Sequence, residues 1–153
     1  IKTVGVFVNE TVENLVTIAN EANLDAVQLH GDEDEAFIQS LKERTNVEVW
    51  KAVQIRSAAD VEKWIDSSAD MLLFDAYHKD ERGGTGEVFD WSSLDAFERP
   101  FMLAGGIDST NVARAIRTVR PYGIDISSGI ETNGVKDDEK ITAFTKIVKS
   151  IGR

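Results

Sequence analysis

Short apolar runs alternate with amphipathic helical segments along the whole chain, and this alternation restricts the possible fold more than any other sequence feature. Strands buried on both faces of a parallel sheet are nearly continuous apolar runs, whereas surface helices repeat apolar residues about every 3.6 positions. The pattern predicts strands over 4–8, 26–29, 47–53, 71–74, 101–104 and 123–126. It predicts helices over 10–22, 33–45, 57–65, 109–119 and 137–150, the third of them capped by Ser57. It also predicts a helical turn at 91–94 and a turn at 127–134. An α/β fold follows, in which helices cover a parallel sheet.

The six strand–helix units are compatible with two architectures. A closed (β/α) barrel needs eight such units, whereas an open parallel sheet can be built from six. The open sheet would bind a dinucleotide through Gly-x-Gly-x-x-Gly after its first strand, and that pattern is absent. The 153 residues contain no Pro- or Gly-rich linker and can bury a sizeable core, so we expect one domain over 1–153.

Charge and composition narrow the classes of partner. The formal net charge of −10 at pH 7 argues against nucleic acids and anionic membranes, and it requires local donors for any anionic ligand. The chain has no cysteine and two histidines, so we expect neither disulfides nor a metal site. No apolar stretch approaches the roughly 20 residues that span a bilayer, and no signal peptide opens the chain. We therefore expect a cytoplasmic location.

Small residues follow two consecutive predicted strands, at the point where each strand leaves the sheet. Gly105 and Gly106 come after the fifth strand, and Ser127, Ser128 and Gly129 come after the sixth. Small residues let backbone N–H groups approach a ligand closely, and the loops after the last two strands of a (β/α) barrel share a phosphate site. The two loops therefore predict a site for a small phosphorylated metabolite. Helix caps and tight turns would use the same residue types.

Asp75 ends the fourth predicted strand and precedes the longest loop, 76–90. In a barrel, a carboxylate at that strand end points into the active site, where it can act as a general acid. The alternative is that Asp75 only caps the following loop. That loop contains a Gly-Gly-Thr-Gly stretch at 83–86, which includes Gly84 and forms either a flap over the ligand or a surface loop with several turns. No Gly-Lys-Ser/Thr follows, so the stretch is not a P-loop.

Other polar residues lie in or just after predicted strands. Asp125 lies inside the sixth strand, where an inward side chain would bind a sugar hydroxyl or pair with a backbone N–H or with Lys51. Lys51 is predicted to form an ion pair in preference to binding phosphate. His30 ends the second strand and either lines the pocket or caps the next segment. The acidic run 32–35 is predicted to be the solvated start of a helix.

Several short motifs occur in one order and spacing, and the ordered set is highly specific although each piece is weak. They lie at 4–9, 28–33, 72–75, 83–86, 89–91, 103–106, 111–112, 125–131, 134 and 136–137. Over its whole length the chain resembles the phosphoribosylanthranilate isomerases, enzymes of tryptophan biosynthesis with a (βα)8 TIM barrel. The resemblance implies an α/β fold of the TIM-barrel family, with six parallel βα units that correspond to strands three to eight and without the first two.

The resemblance also implies an activity and roles for the candidate residues. The family converts N-(5-phosphoribosyl)anthranilate to 1-(2-carboxyphenylamino)-1-deoxyribulose 5-phosphate by an Amadori rearrangement that needs no cofactor. Asp75 would be the general acid that protonates the furanose oxygen as the ring opens. The two small-residue loops would hold the substrate phosphate. Asp125 would lie near the ribose hydroxyls, and His30 and Gly84 would contact the substrate.

The chain departs from the family pattern in two ways. The family's general base is a cysteine in a Lys-x-Cys-Gly strand, and an arginine after the second strand is expected to hold the anthranilate carboxylate; neither can be assigned here. Ile1 corresponds to the start of the family's third strand, so we expect the chain alone to be inactive. Three explanations are open for the first two βα units of the family. They could lie outside the ordered or retained part of a longer enzyme, they could have been removed deliberately, or the protein could be naturally shortened.

Two other functions stay open beside the isomerase. A non-catalytic phosphate-binding or self-associating subdomain would hide its open sheet edges by association. A neighbouring indole-pathway synthase would need lysine and glutamate acid–base groups at strand ends, and Lys51 is the only lysine well placed. The isomerase is therefore the preferred hypothesis.

Overall fold

The computed structural model describes residues 1–76, 91–95 and 97–151, and its strands and helices alternate as predicted. The strands are β1 (Val4–Phe7), β2 (Ala26–Leu29), β3 (Glu48–Gln54), β4 (Met71–Asp75), β5 (Phe101–Ala104), β6 (Gly123–Ile124), β7 (Glu131–Thr132) and β8 (Val135–Lys136). The α-helices are α1 (Val12–Glu21), α2 (Glu35–Arg44), α3 (Ala58–Trp64), α4 (Val112–Val119) and α5 (Asp138–Ser150), and 3-10 helices occupy Trp91–Leu94 and Ser128–Ile130. None of the helices within these ranges has the length and apolar character that crossing a bilayer demands.

The first six strands form one sheet whose spatial order, β1-β2-β3-β4-β5-β6, is their order along the chain. β1 pairs in parallel with β2, β2 with β3, and β5 with β6. Parallel neighbours need a crossover connection, which the intervening helices provide. The predicted α/β arrangement is thereby confirmed. The last strand of this sheet is shorter than predicted, because it ends at Ile124 and not at residue 126.

The chain forms two compact units, of which the first comprises Ile1–Val53 and Lys63–Leu73. All four residues of β2 are buried, as expected for a strand covered on both faces. The helices α1 and α2 contact each other, and each buries an apolar face. β1 is an edge strand of the sheet, and its Val6 is 59% exposed. The fully buried side chains of this unit include Leu15, Val27, Leu29, Ile38, Leu41 and Val49.

The second unit comprises Gln54–Glu62 and Phe74–Arg153. Its core includes a cluster of the aromatic rings of Phe74, Phe97 and Phe101, whose centroids lie 5.0, 5.5 and 5.6 Å apart. Edge-to-face and tilted ring pairs add to the stabilisation that burial provides. The expectation that 1–153 is a single domain stays a prediction.

Polar side chains fix where the helices begin. Thr11, Asp34 and Asp137 cap α1, α2 and α5 by accepting hydrogen bonds from backbone N–H groups of the first turn. At α3 the sequence predicts a cap by Ser57. The contacts found there are those of Asp60, whose carboxylate accepts from the backbone N–H of Ser57 and of the residue before it. A carboxylate of the first turn thus satisfies N–H groups that precede the helix, as in a capping box.

A small hairpin occupies the region over which the sequence predicts only a turn, 127–134. After the 3-10 helix at Ser128–Ile130, β7 and β8 pair in an antiparallel manner. Asn133 and Gly134 have positive φ angles of 52° and 77°, as the two central residues of a tight hairpin turn require. Asn-Gly is a strong hairpin signal, but the flanking strands are two residues each and show no apolar alternation.

Candidate functional site

The loops that follow β5 and β6 meet in the second unit, as the sequence predicts. A side-chain carbon on Gly129 would lie 2.1 Å from the carbonyl oxygen of Ile107, so only glycine allows this close approach. On the other loop, Gly105 and Gly106 have φ angles of 85° and 65°, in the left-handed region. Among the described residues, none has an atom within 4 Å of the position that a side-chain carbon on Gly106 would take. Within that part of the chain, the two loops form one surface of small residues with open space beside Gly106.

Asn111 fixes the conformation of the Gly105–Gly106 loop. Its side-chain amide donates to the carbonyl oxygen of Gly106 at 2.7 Å, and its side-chain oxygen accepts from the N–H of Asp108 at 3.0 Å. Asn111 is the residue before α4, yet its side chain makes no capping bond to that helix. Sequence reasoning missed this role. The signal that could have indicated it is an asparagine at a helix start shortly after a Gly-Gly pair.

Lys136 fixes the Ser127–Gly129 loop from the β7–β8 hairpin. Its ammonium donates to the carbonyl oxygen of Ser127 at 2.9 Å and to the hydroxyl oxygen of Ser127 at 3.1 Å, and it also contacts the carboxylate of Glu131. Ser127 and Ser128 are exposed, whereas Gly129 is half-buried. Sequence reasoning did not assign Lys136 to the site, because the contact depends on a hairpin that the apolar pattern does not predict.

Asp75 ends β4 and is half-buried. Its carbonyl oxygen accepts a hydrogen bond from the N–H of Ile55 at 2.9 Å. The next residue, Ala76, donates its N–H to the carbonyl oxygen of Ala104 at 3.0 Å, and Ala104 directly precedes Gly105. Within the second unit, Asp75 therefore lies beside the strand that leads into the glycine loop, at the carboxyl end where the sequence predicts it.

Asp125 does not lie inside the last strand of the sheet, so this part of the prediction is wrong. β6 ends at Ile124, and Asp125 follows it with an exposed side chain. The backbone N–H of Asp125 still donates to the carbonyl oxygen of Leu103 at 2.9 Å. An Ile-Asp-Ile sequence is typical of a strand, but pairing with β5 stops early because the chain enters the Ser127–Gly129 loop.

His30 lies in the first unit, directly after β2, and is exposed. The backbone N–H of His30 donates to the carbonyl oxygen of Phe7 at 2.8 Å. The ring Nδ1 of His30 lies 3.1 Å from the side-chain nitrogen of Gln28. An amide nitrogen can only donate, so this contact is a hydrogen bond when Nδ1 is the acceptor of the ring. The buried Gln28 thus orients the His30 ring. Contact of His30 with a substrate stays a prediction.

Glu33 and Lys51 form a buried ion pair in the first unit, which confirms the ion-pair prediction for Lys51 and corrects the prediction of a solvated acidic run. The ammonium of Lys51 donates to the carbonyl oxygen of Gly31 at 2.7 Å and to the carboxylate of Glu33 at 3.3 Å. The same carboxylate accepts from the N–H of Gly31 at 2.8 Å and of Asn9 at 2.9 Å. Asp32 and Asp34 of the run are exposed, as predicted.

The pKa of the Glu33 carboxyl is set by opposing causes. Burial acts to raise the pKa, but the backbone N–H groups of Glu33, Asn9 and Gly31 and the charge of Lys51 outweigh it and hold the pKa below its usual value. The carboxylate is therefore ionised and bound on all sides. The Lys51 side chain is 4% exposed, so in this arrangement it is buried in the ion pair and is not available to bind a phosphate from solvent.

Gly84 and the predicted flap at 83–86 lie in 77–90, outside the described residues. Among the residues that the structure does describe, no three His, Cys, Asp or Glu side chains are grouped as metal ligands would be. The expectation that the protein uses no metal stays a prediction.

Comparison with known proteins decides the family. The family model for N-(5'-phosphoribosyl)anthranilate (PRA) isomerase matches residues 1–147. The chain belongs to this family. A PRA isomerase of Thermoanaerobacter sp. (strain X514) is 48% identical over 153 residues, which cover 99% of this chain and 74% of that relative. The resemblance that the sequence motifs indicate is thereby confirmed.

Solved PRA isomerases have the same fold. The crystal structure from Thermotoga maritima is 38% identical with a TM-score of 0.84, and the match covers 96% of this chain and 72% of that one. Another, in complex with reduced 1-(o-carboxyphenylamino)-1-deoxyribulose 5-phosphate, is 36% identical with a TM-score of 0.79, and the match covers 96% and 71% of the two chains. The six-stranded α/β fold is therefore that of a PRA isomerase, and the chain spans about three quarters of its relatives' length.

Proposed function

We propose that this chain provides the phosphate-binding and general-acid part of a PRA isomerase, which converts N-(5-phosphoribosyl)anthranilate to 1-(2-carboxyphenylamino)-1-deoxyribulose 5-phosphate. One observation carries the proposal: the Gly105–Gly106 and Ser127–Gly129 loops meet, and Asp75 ends the strand beside the first of them. A relative of the same family binds a reduced form of this product, which carries a 5-phosphate.

The two loops offer donors for a phosphate monoester. The left-handed conformation of Gly105 and Gly106 and the open space beside Gly106 let an anion approach the backbone N–H groups. Ser127 and Ser128 on the other loop are exposed residues, and each carries a hydroxyl group that can donate to an anion. Because the net charge is −10, local donors of this kind must outweigh a repulsive overall field.

Asp75 is proposed as the general acid. Protonation of the furanose ring oxygen lets the bond between that oxygen and C1 break, and the anthranilate nitrogen supplies the electron pair that forms the C1=N bond. Loss of the proton on C2 then gives an enolamine, which becomes the aminoketone product. A carboxylic acid beside the phosphate site can deliver the first proton, and such proton transfers contribute about 10²–10⁴ in rate.

The second proton transfer needs a base, and the family's cysteine has no counterpart here because the chain has no cysteine. We propose that the base, the arginine for the anthranilate carboxylate and the first two βα units belong to the quarter of the relatives' length that this chain does not match. The chain alone would then bind phosphate without turning over substrate.

Phosphate binding tests the proposal directly. Titration of ribose 5-phosphate should shift the backbone amide NMR signals of the two loops. Gly106→Ala should weaken binding about tenfold, because a side-chain carbon would occupy the open space beside the loop. Gly134→Ala is the matched control: this glycine also has positive φ and open surroundings, but it lies at the hairpin turn. Equal effects of the two substitutions, or no binding by the parent chain, would contradict the proposal.

Turnover tests the role of Asp75. The chain alone should show no isomerase activity, and a chimera should restore it when the Thermoanaerobacter relative supplies the quarter that this chain does not match. In that chimera Asp75→Asn should lower kcat by about 10²–10⁴ and leave ribose 5-phosphate binding unchanged, because an amide cannot donate the required proton. Activity of the chain alone, or near-normal kcat in the Asn variant, would overturn these roles.

A second property is favoured by the exposed edge of the sheet. β1 is an edge strand, and Val6 and the nearby Val8 are 59% and 65% exposed. Unpaired edges with apolar side chains promote pairing between chains, so we propose that the chain self-associates through β1. Light scattering should show a mass above the monomer that Val6→Lys reduces. A monomer at high concentration would exclude this.

A further inference from the structure

Lys136 is the cation that the β7–β8 hairpin brings to the Ser127–Gly129 loop. We propose that it is a positioning residue of the phosphate site, which acts through Ser127 and not by contacting the phosphate itself. The inference rests on the proposed function and deepens it, because it assigns the orientation and charge of the loop to a residue outside the two small-residue segments.

The number of N–H donors on the Lys136 ammonium explains why it would act on a phosphate only through Ser127. An ammonium has three N–H groups and no acceptor. In Lys136 these face the Ser127 carbonyl oxygen at 2.9 Å, the Ser127 hydroxyl oxygen at 3.1 Å and the Glu131 carboxylate. No N–H group is left over for a ligand. The lysine can therefore reach a phosphate only through the residue that it holds.

Ser127 is the residue that would pass on this effect. A hydroxyl has one donor and two acceptor lone pairs, so a lysine that donates to the oxygen leaves the O–H as the donor for a ligand. Hydrogen bonds in a chain polarise one another, and the nearby positive charge makes the hydroxyl a better donor to an anion. Lys136 also donates to the Ser127 carbonyl oxygen, so it fixes the backbone of this residue as well as its hydroxyl.

The hairpin that carries the lysine is itself anchored to α5. The N–H of Asp137 donates to the carbonyl oxygen of Ile130 at 2.9 Å, and the ammonium of Lys140 donates to the carbonyl oxygen of Glu131 at 2.6 Å. The hydroxyl of Thr132 donates to the Asp137 carboxylate at 2.7 Å. These bonds join β7 and the residue before it to the start of α5, and β8 runs directly into Asp137, so both ends of the hairpin are fixed to the helix.

The test compares three variants of the chain. Isothermal titration with ribose 5-phosphate should give an about tenfold higher Kd for Lys136→Met, because the Ser127 hydroxyl loses the charge that strengthens its hydrogen bond to the phosphate. Lys136→Arg should stay within about threefold of the parent, because it keeps the charge and donors. Lys146→Met removes an exposed lysine of α5 and should leave the Kd unchanged. The Lys136 side chain is 49% exposed, so thermal unfolding should show that all variants fold.

A double-mutant cycle separates action through Ser127 from a general effect of charge. In a Ser127→Ala background, Lys136→Met should raise the Kd less than about threefold, since the hydroxyl through which the lysine acts is gone. Fully additive effects would overturn the inference, as would equal binding by the parent chain and Lys136→Met. If the parent chain binds neither ribose 5-phosphate nor inorganic phosphate, the proposed function fails together with the inference. Binding by the parent that is unaffected by Lys136→Met removes the inference alone.

Discussion

Two lysines, one in each unit, make the same kind of contact in opposite environments. Each donates to the carbonyl oxygen of a loop that follows a strand, and each pairs with a glutamate. In the Lys51–Glu33 pair the side chains are 4% and 2% exposed. In the Lys136–Glu131 pair they are 49% and 24% exposed. The same chemistry therefore lies in the core of one unit and at the surface of the other.

Burial decides what each pair can do. Two charges taken out of water are costly unless every remaining donor and acceptor is satisfied, and the Glu33 carboxylate accepts from the backbone N–H groups of Glu33, Asn9 and Gly31 besides Lys51. Such a pair holds a loop rigidly and is inaccessible to ligand. An exposed pair adds little to stability, but it can respond to an anion that arrives from solvent. The comparison assigns a structural role to Lys51 and agrees with the positioning role proposed for Lys136.

The largest expected difference between the two lysines is in stability. Lys51→Met should lower the free energy of unfolding by about 3–5 kcal/mol, because it leaves the Glu33 charge buried without its partner. Lys136→Met should lower it by less than about 1 kcal/mol, because both partners can turn to water. Urea unfolding of the two variants measures the difference. Similar losses would mean that burial does not distinguish the pairs.

The contrast also shows what the sequence could and could not predict. The strands and most helices follow from apolar periodicity, and the Gly105–Gly106 and Ser127–Gly129 loops follow from small residues at strand ends, because both are local properties. Lys51 was predictable as an ion-pair partner, since a lysine inside an apolar strand must be paired. Its partner was not, because an acidic run at a helix start is usually solvated, and only tertiary packing buries one of its members.

The site residues that sequence reasoning missed depend on contacts between segments. Asn111 contacts a loop that precedes its helix, and Lys136 contacts Ser127 across a hairpin of very short strands. Neither contact produces a periodic pattern. Asp125 was predicted inside a strand for a different reason. Its neighbours fit a strand pattern, but the loop that follows sets where the pairing with β5 ends.

A smaller effect is expected in the pH dependence of the free energy of unfolding, which tests Glu33, the acidic partner in the buried pair. The pKa of Glu33 is lowered in the folded chain, so its contribution to stability is fully present above the unfolded-state value of about 4.3 and is lost as pH falls through the lower folded-state value. Several other carboxyl groups of the chain also have lowered pKa values, including that of Glu35. The relevant quantity is therefore the difference between the parent chain and Glu33→Gln.

That difference in unfolding free energy should be largest above about pH 5 and should shrink steadily below pH 4, because protonation of Glu33 removes the advantage that the glutamine already lacks. Glu131→Gln is the matched variant at the exposed pair, and its difference from the parent should be small at every pH, because a solvated pair contributes little. If the difference for Glu33→Gln does not change with pH, the Glu33 side chain stabilises the loop through its shape and hydrogen bonds. The charge of Glu33 would then have no separate role, in contrast to the charge that is proposed to act at Lys136.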